Sequence, residues 1–284
     1  MGGPDAWTVL RMADFRQQVA VLRAHYDILP LDEALTAPPR PGGRPRAVLT
    51  FDDGEIGMHR HLLPFVQHEN LPVTVYVATD QIATGRPFWF DRVMNACQTE
   101  HPTQLDLEDE GLGRWQLPGR DARDRWQVLG PLLERLKQIL PPDRERIADR
   151  IATTLPAPLA DRCLAPMTPQ QLAELGACPL VTIGAHSDCH NLLDQIPLAS
   201  ARDSIQRSRE LLRGWTGQEV AHFAYPNGNH TPALGQAVAD LGFRSATILG
   251  MDLARAGDDR FALPRVAIGR YDSLPRFRLR LAVI

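Results

Sequence analysis

The sequence has few cysteines, and their spacing excludes two common roles for them. Cys97, Cys163, Cys178 and Cys189 are the only four in 284 residues, and no two of them form a Cys-x-x-Cys pair. A disulfide framework or a cysteine-based zinc site needs a denser or more regular spacing. We therefore expect free thiols, most of them buried as small apolar side chains.

Long apolar runs are also missing. A transmembrane helix needs about 18 consecutive apolar residues, and no stretch of this sequence comes near that length. No membrane span is therefore expected. Residues 1–7 contain neither a basic segment nor an apolar core, so no signal peptide is visible. The sequence as given predicts a cytoplasmic location, and an incomplete N-terminus would leave an extracytoplasmic one open.

A strong charge of either sign is absent as well. The formal net charge is -3, and 23% of the residues are charged. Without a broad basic field, nucleic acid is not an expected partner. No Gly-x-Ser-x-Gly segment occurs, which argues against a serine hydrolase. The composition is that of an ordinary globular protein with 44% hydrophobic residues.

Residues 47–54, Ala-Val-Leu-Thr-Phe-Asp-Asp-Gly, are the stretch that most clearly indicates chemistry. The apolar and β-branched run predicts a buried strand that ends in Asp52 and Asp53. Two adjacent carboxylates at such a position need compensation, and a metal ion is the usual compensator. Because strand side chains alternate between faces, we expect different roles for the two acids. Their adjacency argues against a phosphatase of the Asp-x-Asp type.

Strands and helices alternate along much of the chain. Besides the strand before Asp52, strands are predicted at residues 73–78, 180–186, 222–226, 245–249 and 261–268. Amphipathic helices separate them, which indicates parallel βα units in a barrel or a doubly wound sheet. Open and barrel α/β folds place their sites at the carboxyl ends of the strands.

Two segments depart from this alternation. Residues from about 80 to 160 contain charged amphipathic helices, which we interpret as a helical insertion in a single catalytic domain covering residues 1–284. Near the C-terminus, arginines alternate with apolar residues at positions 276–281. That period of two predicts a half-exposed strand or a tail.

A pair of histidines follows the strand predicted at residues 180–186. His186 and His190 are four residues apart, which on a helical turn places both imidazoles on one side. Two histidines and one carboxylate form a common zinc ligand set that leaves one position for water. Asp53 is a plausible third ligand because it also follows a strand end. The alternative is that the two histidines belong to a solvated turn.

Four short motifs together resemble the polysaccharide deacetylase superfamily, the chitin-oligosaccharide deacetylase-like carbohydrate esterases. Thr-Phe-Asp-Asp-Gly at residues 50–54 looks like the first motif of that family. His-Ser-Asp-Cys-His at residues 186–190 is similar to the second motif. Phe-Ala-Tyr-Pro-Asn-Gly at residues 223–228 resembles the third motif of one branch, and Leu-Pro-Arg at residues 263–265 resembles a late strand of that branch.

The resemblance implies a fold, a reaction and a set of roles. The fold would be a distorted (β/α) barrel of about seven strands. Asp52 would be the general base, and Asp53, His186 and His190 would hold a divalent metal, most plausibly zinc. The reaction would be metal-dependent hydrolysis of N-acetyl groups on the amino sugars of an oligo- or polysaccharide. A backbone donor near Tyr225 would help the metal to stabilise the oxyanion.

The resemblance also predicts substrate contacts, and the chain departs from the family pattern in its candidate catalytic residues. Tyr225, Pro226 and Asn227 lie in the third-motif loop, and Trp89 is expected to stack on a sugar ring or else to pack in the core. Many family members carry an arginine where this chain has Ala224. We expect Arg265 to replace it as a catalytic residue, the alternative being an ordinary surface or interface arginine.

The second departure concerns a general acid. Many family members supply a late histidine, and no histidine follows His230 here. His230 comes just after the third-motif turn and could reach the site, or it could be a solvated loop residue. Two alternative functions therefore stay open. One is a deformylase or amidase on a small N-acyl sugar or sugar-nucleotide, and the other is a catalytically weak metal- or glycan-binding module.

Overall fold

The computed structural model describes residues 6, 8–38, 42–119, 122–155, 164–250 and 252–282. The chain divides into two compact units. The hairpin unit contains Met1–Leu10, Pro87–Ala165 and Gly269–Tyr271, and the sheet unit contains Arg11–Arg86, Pro166–Ile268 and Asp272–Ile284. Every motif that carries the family resemblance lies in the sheet unit.

The helices and strands follow one another in a βα alternation that the hairpin unit interrupts. In chain order the helices are α1 (Met12–His25), α2 (Leu31–Thr36), α3 (Leu63–Glu69), α4 (Thr79–Thr84), α5 (Trp89–Ala96), α6 (Ala122–Lys137), α7 (Pro141–Thr154), α8 (Pro169–Gly176), α9 (Leu198–Thr216), α10 (Pro232–Asp240) and α11 (Leu274–Ala282). The strands are β1 (Asp27–Ile28), β2 (Arg46–Ala47), β3 (Thr50–Phe51), β4 (Val73–Val77), β5 (Pro102–Leu107), β6 (Gly113–Pro118), β7 (Val181–Ala185), β8 (His222–Ala224) and β9 (Ser245–Thr247). A π-helical turn, Met58–Leu62, leads into α3.

A curled parallel sheet forms the centre of the sheet unit. Its strand order is β3-β4-β7-β8-β9, and β1 and β2 form a separate parallel pair. The sheet forms a half-barrel, and the predicted distorted (β/α) barrel is confirmed. All five residues of β4 are buried, as expected for a parallel sheet covered on both faces. Gly184 is required in β7, because a Cβ atom there would lie 2.4 Å from the Tyr76 ring.

Helix boundaries in the sheet unit follow the local signals of the sequence. The side chain of Thr168 accepts a hydrogen bond from the Gln171 backbone N–H, and the Gln171 side chain accepts one from the Thr168 N–H. This capping box and Pro169 at the first helical position fix the start of α8. Gly217, with φ of 68°, ends α9 in the left-handed conformation that glycine adopts readily.

The hairpin unit has its own apolar core, formed mainly by α5, α6, α7 and the β5–β6 hairpin. The sequence analysis interprets residues from about 80 to 160 as a helical insertion, and the antiparallel pairing of β5 with β6 adds a hairpin that this interpretation did not include. Leu105 and Leu107 are buried on either side of the exposed Asp106, and Leu117 is buried between the more exposed Gln116 and Pro118. This period of two, on either side of a tight turn at Gly111, is the pattern of a strand.

Two other predicted elements differ in the structure. The strand predicted at residues 261–268 is reduced to bridges that pair Leu263 with Thr247 and Val266 with Gly250. Pro264 lies between them and has no backbone N–H to donate, so regular pairing is interrupted. The residues at 276–281, predicted as a strand or tail, lie in α11, where Phe277 packs against Val21 and Leu22.

The cysteine and membrane predictions can be compared with the described part of the chain. Cys97 and Cys178 are buried free thiols and Cys189 is a half-buried one, while Cys163 lies outside the described residues. Among those residues, no helix is both long enough and apolar enough to cross a bilayer.

Candidate metal and catalytic site

The first motif forms a tight loop directly after β3. Asp53 has a φ of 78° and Gly54 a φ of 96°, so two successive residues adopt the left-handed conformation. A Cβ atom on Gly54 would lie 2.9 Å from Cγ1 of Val77, which leaves room for glycine alone. The side-chain amide of Gln81 donates a 2.7 Å hydrogen bond to the Asp53 carbonyl oxygen. These contacts hold the Asp53 carboxylate at the carboxyl end of the sheet.

Asp53, His186 and His190 converge at this end. Oδ1 of Asp53 lies 3.5 Å from Nε2 of His186 and 3.2 Å from Nε2 of His190. One potential ligand atom from each of the three residues lies within 4.8 Å of the other two. Oδ1 of Asp53 is buried and, among the described residues, has no hydrogen-bond partner. An unpartnered buried carboxylate oxygen beside two imidazoles is the arrangement expected where a cation binds.

The ring of His186 is held in one orientation by the backbone of β8. Its Nδ1 lies 2.7 Å from the Ala224 carbonyl oxygen, which can only accept a hydrogen bond. Nδ1 therefore carries the proton, and Nε2 presents a lone pair toward Asp53. Burial, the largest influence, lowers the pKa of His186 even though Asp52 acts in the opposite direction. Burial therefore favours the neutral imidazole that a metal ligand requires, and the Ala224 carbonyl determines which ring nitrogen keeps the proton.

The donor set fits a divalent metal ion. Zinc binds imidazole nitrogen and carboxylate oxygen at about 2.0–2.2 Å, so tetrahedral ligand atoms are separated by about 3.3 Å. The two distances from Asp53 bracket that separation. Three protein ligands leave a further position for water, which is typical of catalytic sites rather than structural ones.

Asp52 is not one of the three converging residues and pairs with Arg265. Nη1 and Nη2 of Arg265 each donate a 2.8 Å hydrogen bond to one carboxylate oxygen of Asp52, and Nη1 also donates to Thr50 Oγ1 at 3.1 Å. The guanidinium lies 5.4 Å from the centre of the Tyr76 ring. Burial raises the pKa of Asp52, but the opposing effects of Arg265 and the two histidines together outweigh it. The net result is a pKa lowered to about 2. Asp52 is therefore an oriented carboxylate at neutral pH.

Asp188 shapes the loop that carries both histidines, a role that sequence reasoning missed. Ser187 and His190 have φ values of 62° and 54°, so two non-glycine residues of this loop are strained. Oδ1 of Asp188 accepts a 2.8 Å hydrogen bond from Thr79 Oγ1, and its backbone N–H donates to Ser204 Oγ at 3.0 Å. These bonds tie the loop to α4 and α9. The only sequence signal was its position between the two histidines.

Glu55 is a second residue near the site that sequence reasoning did not select. Burial raises its pKa, and the adjacent charge of Asp53 raises it further, to about 8. Its backbone forms an isolated antiparallel bridge with Pro166. A glutamate that follows Asp52, Asp53 and Gly54 gives no distinct signal in a single sequence.

The third-motif loop differs in part from the expected binding surface. Tyr225 is fully buried, and its hydroxyl donates a 2.9 Å hydrogen bond to the Phe261 carbonyl oxygen. Its backbone N–H donates to the Thr247 carbonyl oxygen at 3.1 Å, so this N–H is not available to an oxyanion. Pro226 is buried, whereas Asn227 is exposed with a φ of 56°. Asn227 is thus the residue of this loop that faces solvent.

Trp89 and His230 occupy structural positions. Trp89 is 5% exposed in the core of the hairpin unit, and the Arg144 guanidinium lies 5.0 Å from its ring centre. This burial leaves no free ring face for a sugar, which is a correction to the predicted stacking role. His230 packs its ring against Tyr225, with 5.0 Å between ring centres. Burial lowers its pKa, and no described contact joins it to Asp53 or Asp52.

A comparison with protein families supports the resemblance over part of the chain. A family profile described as polysaccharide deacetylase matches residues 146–246. The matched range includes the second and third motifs and ends before Arg265, and it begins after the first motif. No curated protein sequence matches the chain.

Solved structures with the same fold cover nearly the whole chain. The Streptococcus pyogenes deacetylase PplD, in complex with acetate, has a TM-score of 0.63 and 16% identity, covering 97% of this chain and 88% of PplD. IcaB from Ammonifex degensii has a TM-score of 0.57 and 18% identity over 94% and 88% of the two chains. A de-N-acetylase from Aggregatibacter actinomycetemcomitans has a TM-score of 0.55 and 13% identity over 99% and 95%.

Proposed function

We propose that this chain belongs to the polysaccharide deacetylase superfamily and is a metal-dependent hydrolase that removes N-acetyl groups from the amino sugars of an oligo- or polysaccharide. The family profile that matches residues 146–246 supports the superfamily and the hydrolase class that the motifs predict, and the solved structures share the fold. The observation that supports the specific reaction best is the convergence of Asp53, His186 and His190 beside the Asp52–Arg265 pair.

Three residues would hold the metal, and their chemistry suits zinc first. Asp53, His186 and His190 offer one oxygen and two nitrogens, a set that also accepts cobalt, manganese or nickel. When bound, a divalent metal acts as a Lewis acid on the amide carbonyl and lowers the pKa of a bound water. The Ala224 carbonyl keeps Nε2 of His186 unprotonated and available for this role.

Asp52 would act as the general base. Its carboxylate lies next to the ligand set without belonging to it, and it is ionised at neutral pH because Arg265 compensates its charge. Asp52 takes a proton from the attacking water, whose oxygen forms the new bond to the acetyl carbon. The C–N bond then breaks, and Asp52 returns the proton to the leaving nitrogen, giving a free amine and acetate. Assigning both transfers to Asp52 is consistent with the absence of histidine after His230.

Arg265 would be the positioning residue for this base. Two parallel hydrogen bonds restrict rotation of the Asp52 carboxylate, and the contact with Thr50 ties the guanidinium to the strand that precedes the base. Arg265 was predicted as a catalytic residue that replaces the arginine many family members carry where this chain has Ala224, and we propose that it acts by positioning Asp52. Asn227 is the third-motif residue that we propose to contact the substrate, since Tyr225 and Pro226 are buried.

Acetate release tests this proposal directly. The zinc-reconstituted protein is incubated with N-acetylglucosamine oligomers, and acetate and free amine are both measured. Asp52→Asn and His186→Ala should each abolish release, while the matched surface variants Asp143→Asn and His25→Ala should retain it. Metal content is measured in parallel, and only His186→Ala should lower it.

The outcomes separate the proposal from its two alternatives. Release from a small N-formyl or N-acetyl sugar, with none from oligomers, would favour the amidase alternative. Full metal occupancy without release from any N-acyl sugar would favour the binding module. Failure of the parent protein to bind any divalent metal would contradict the proposal at its foundation.

A further inference from the structure

A basic groove runs along the outer helices of the sheet unit, between α1 and the helix formed by the π-helical turn and α3. Its rim is formed by Arg16, Arg60, His61 and His68, and its floor by Phe65 and Met12. The groove has a volume of about 400 Å³. None of these residues belongs to the metal or catalytic set.

The charge of this groove is not compensated by the protein. Within the described part of the chain, no carboxylate lies within 4 Å of the side-chain nitrogens of Arg16, Arg60 or His61. The acid nearest to His68 is Glu69, at 3.8 Å, and Glu69 already pairs with Arg23 at 2.5 Å. Two arginines without a carboxylate partner, beside two imidazoles, favour an anionic ligand even in a chain of net charge -3.

Contacts within the protein restrict the basic side chains at the rim of the groove. The Arg16 guanidinium lies 4.9 Å from the centre of the Phe65 ring, a stacking contact that restricts the arginine. Arg60 and His61 belong to the π-helical turn Met58–Leu62, a distortion that is rare and often found at functional sites. His61 and His68 are exposed, two helical turns apart on one face, so their rings border the same groove.

We propose that this groove binds a phosphate group, free or carried by a larger molecule. Guanidinium groups bind phosphate oxygens through paired charge-assisted hydrogen bonds, and a phosphate dianion matches the two charges of Arg16 and Arg60. The N–H groups of His61 and His68 supply further donors. The volume exceeds that of one phosphate, which leaves room for a covalently attached sugar or alcohol. The inference does not depend on the proposed deacetylase activity.

Calorimetric titration of the full chain tests the proposal. The protein is first freed of metal by chelation, so that phosphate bound to a metal does not contribute to the signal. The probes are inorganic phosphate and N-acetylglucosamine 1-phosphate, with unphosphorylated N-acetylglucosamine and citrate as comparison ligands at equal ionic strength. Stronger binding of the sugar phosphate would identify a phosphorylated glycan as the source, and equal binding would identify free phosphate.

Substitutions locate the binding in the groove. Arg16→Ala and Arg60→Ala should each raise the Kd of the phosphate probe by about tenfold or more, as expected for loss of a charge-assisted contact. Arg278→Ala removes an exposed arginine of α11 and is the matched control, with an unchanged Kd. Melting temperatures of Arg60→Ala and Arg278→Ala should equal that of the parent, because these side chains are exposed, and Arg16→Ala should melt only slightly lower because it loses the contact with Phe65.

Three results would overturn the proposal. The first is no binding of either phosphate probe at about 10 mM, well above a millimolar Kd. The second is equal weakening by Arg278→Ala, which would indicate a general effect of net charge. The third is binding of citrate or of unphosphorylated N-acetylglucosamine as tight as that of the phosphate probes.

Discussion

Replacing Arg265 with methionine should destabilise the metal-free protein, because the change leaves the Asp52 charge without its partner. Arg265 makes two 2.8 Å hydrogen bonds to Asp52, and the side chains are 12% and 24% exposed. Methionine keeps much of the apolar contact with Tyr76 and removes only the charge and the donors. The substitution therefore isolates the ion pair.

The magnitude follows from the burial of the pair. Removing one partner of a fully buried ion pair costs about 3–5 kcal/mol, and surface pairs contribute about 0–1 kcal/mol. Since Asp52 retains some solvent contact, we expect Arg265→Met to lower the free energy of unfolding by about 2–3 kcal/mol. Asp52→Asn in the Arg265→Met background should cost little more, because the unpaired charge is then absent.

Urea unfolding in the presence of a chelator, followed by fluorescence at pH 7, measures these differences. Arg244→Met is the matched control: Arg244 pairs with Asp32 and Glu219 at the surface and is 46% exposed, so its loss should cost under about 1 kcal/mol. Equal losses in Arg265→Met and Arg244→Met would refute the reasoning. So would strict additivity of the Arg265 and Asp52 substitutions, since it would mean that the two side chains do not interact.

Three further perturbations test other parts of the sheet unit. Asp188→Ala should weaken zinc binding by about tenfold, as loss of a residue that positions metal ligands does, and competition with a chromogenic chelator measures this without any assay of activity. Gly54→Ala should lower the unfolding free energy by more than about 1 kcal/mol, because a Cβ there meets Val77 at 2.9 Å, and urea unfolding would show it. Burial lowers the pKa of His222 below 6.5 despite Asp32, so the unfolded chain binds the proton first. Acidification from pH 7.5 to 5.5 should then destabilise the parent more than His222→Asn, and equal losses would contradict this assignment.

The motifs that follow strand ends could be assigned from the sequence because topology brings them together. Parallel strands end at one edge of the sheet, so Asp53 after β3 and His186 after β7 had to be near each other once the βα alternation was recognised. The spacing of His186 and His190 then gave a donor set of recognisable type. In the structure the two histidines lie on a strained loop and not on a helical turn.

Other features depended on contacts between segments far apart in sequence. The burial of Trp89 is caused by packing within the hairpin unit, including Arg144 of α7, and an aromatic run alone does not distinguish a core from a sugar platform. The C-terminal segment shows why short periodic patterns mislead. Its apolar residues alternate, but Leu274, Phe277 and Leu281 also have helical spacing, and packing against α1 selects the helix.

The hydrogen bond between Arg270 and Val9 limits when the hairpin unit can complete its folding. Nη1 of Arg270 donates a 3.2 Å hydrogen bond to the Val9 carbonyl oxygen, and both residues belong to the hairpin unit although they are 261 positions apart. During translation this contact can form only after the 261 positions that separate the two residues have been synthesised. Contacts of such separation slow folding, so the N-terminal part of this unit waits unpaired until the segment around Arg270 has left the ribosome.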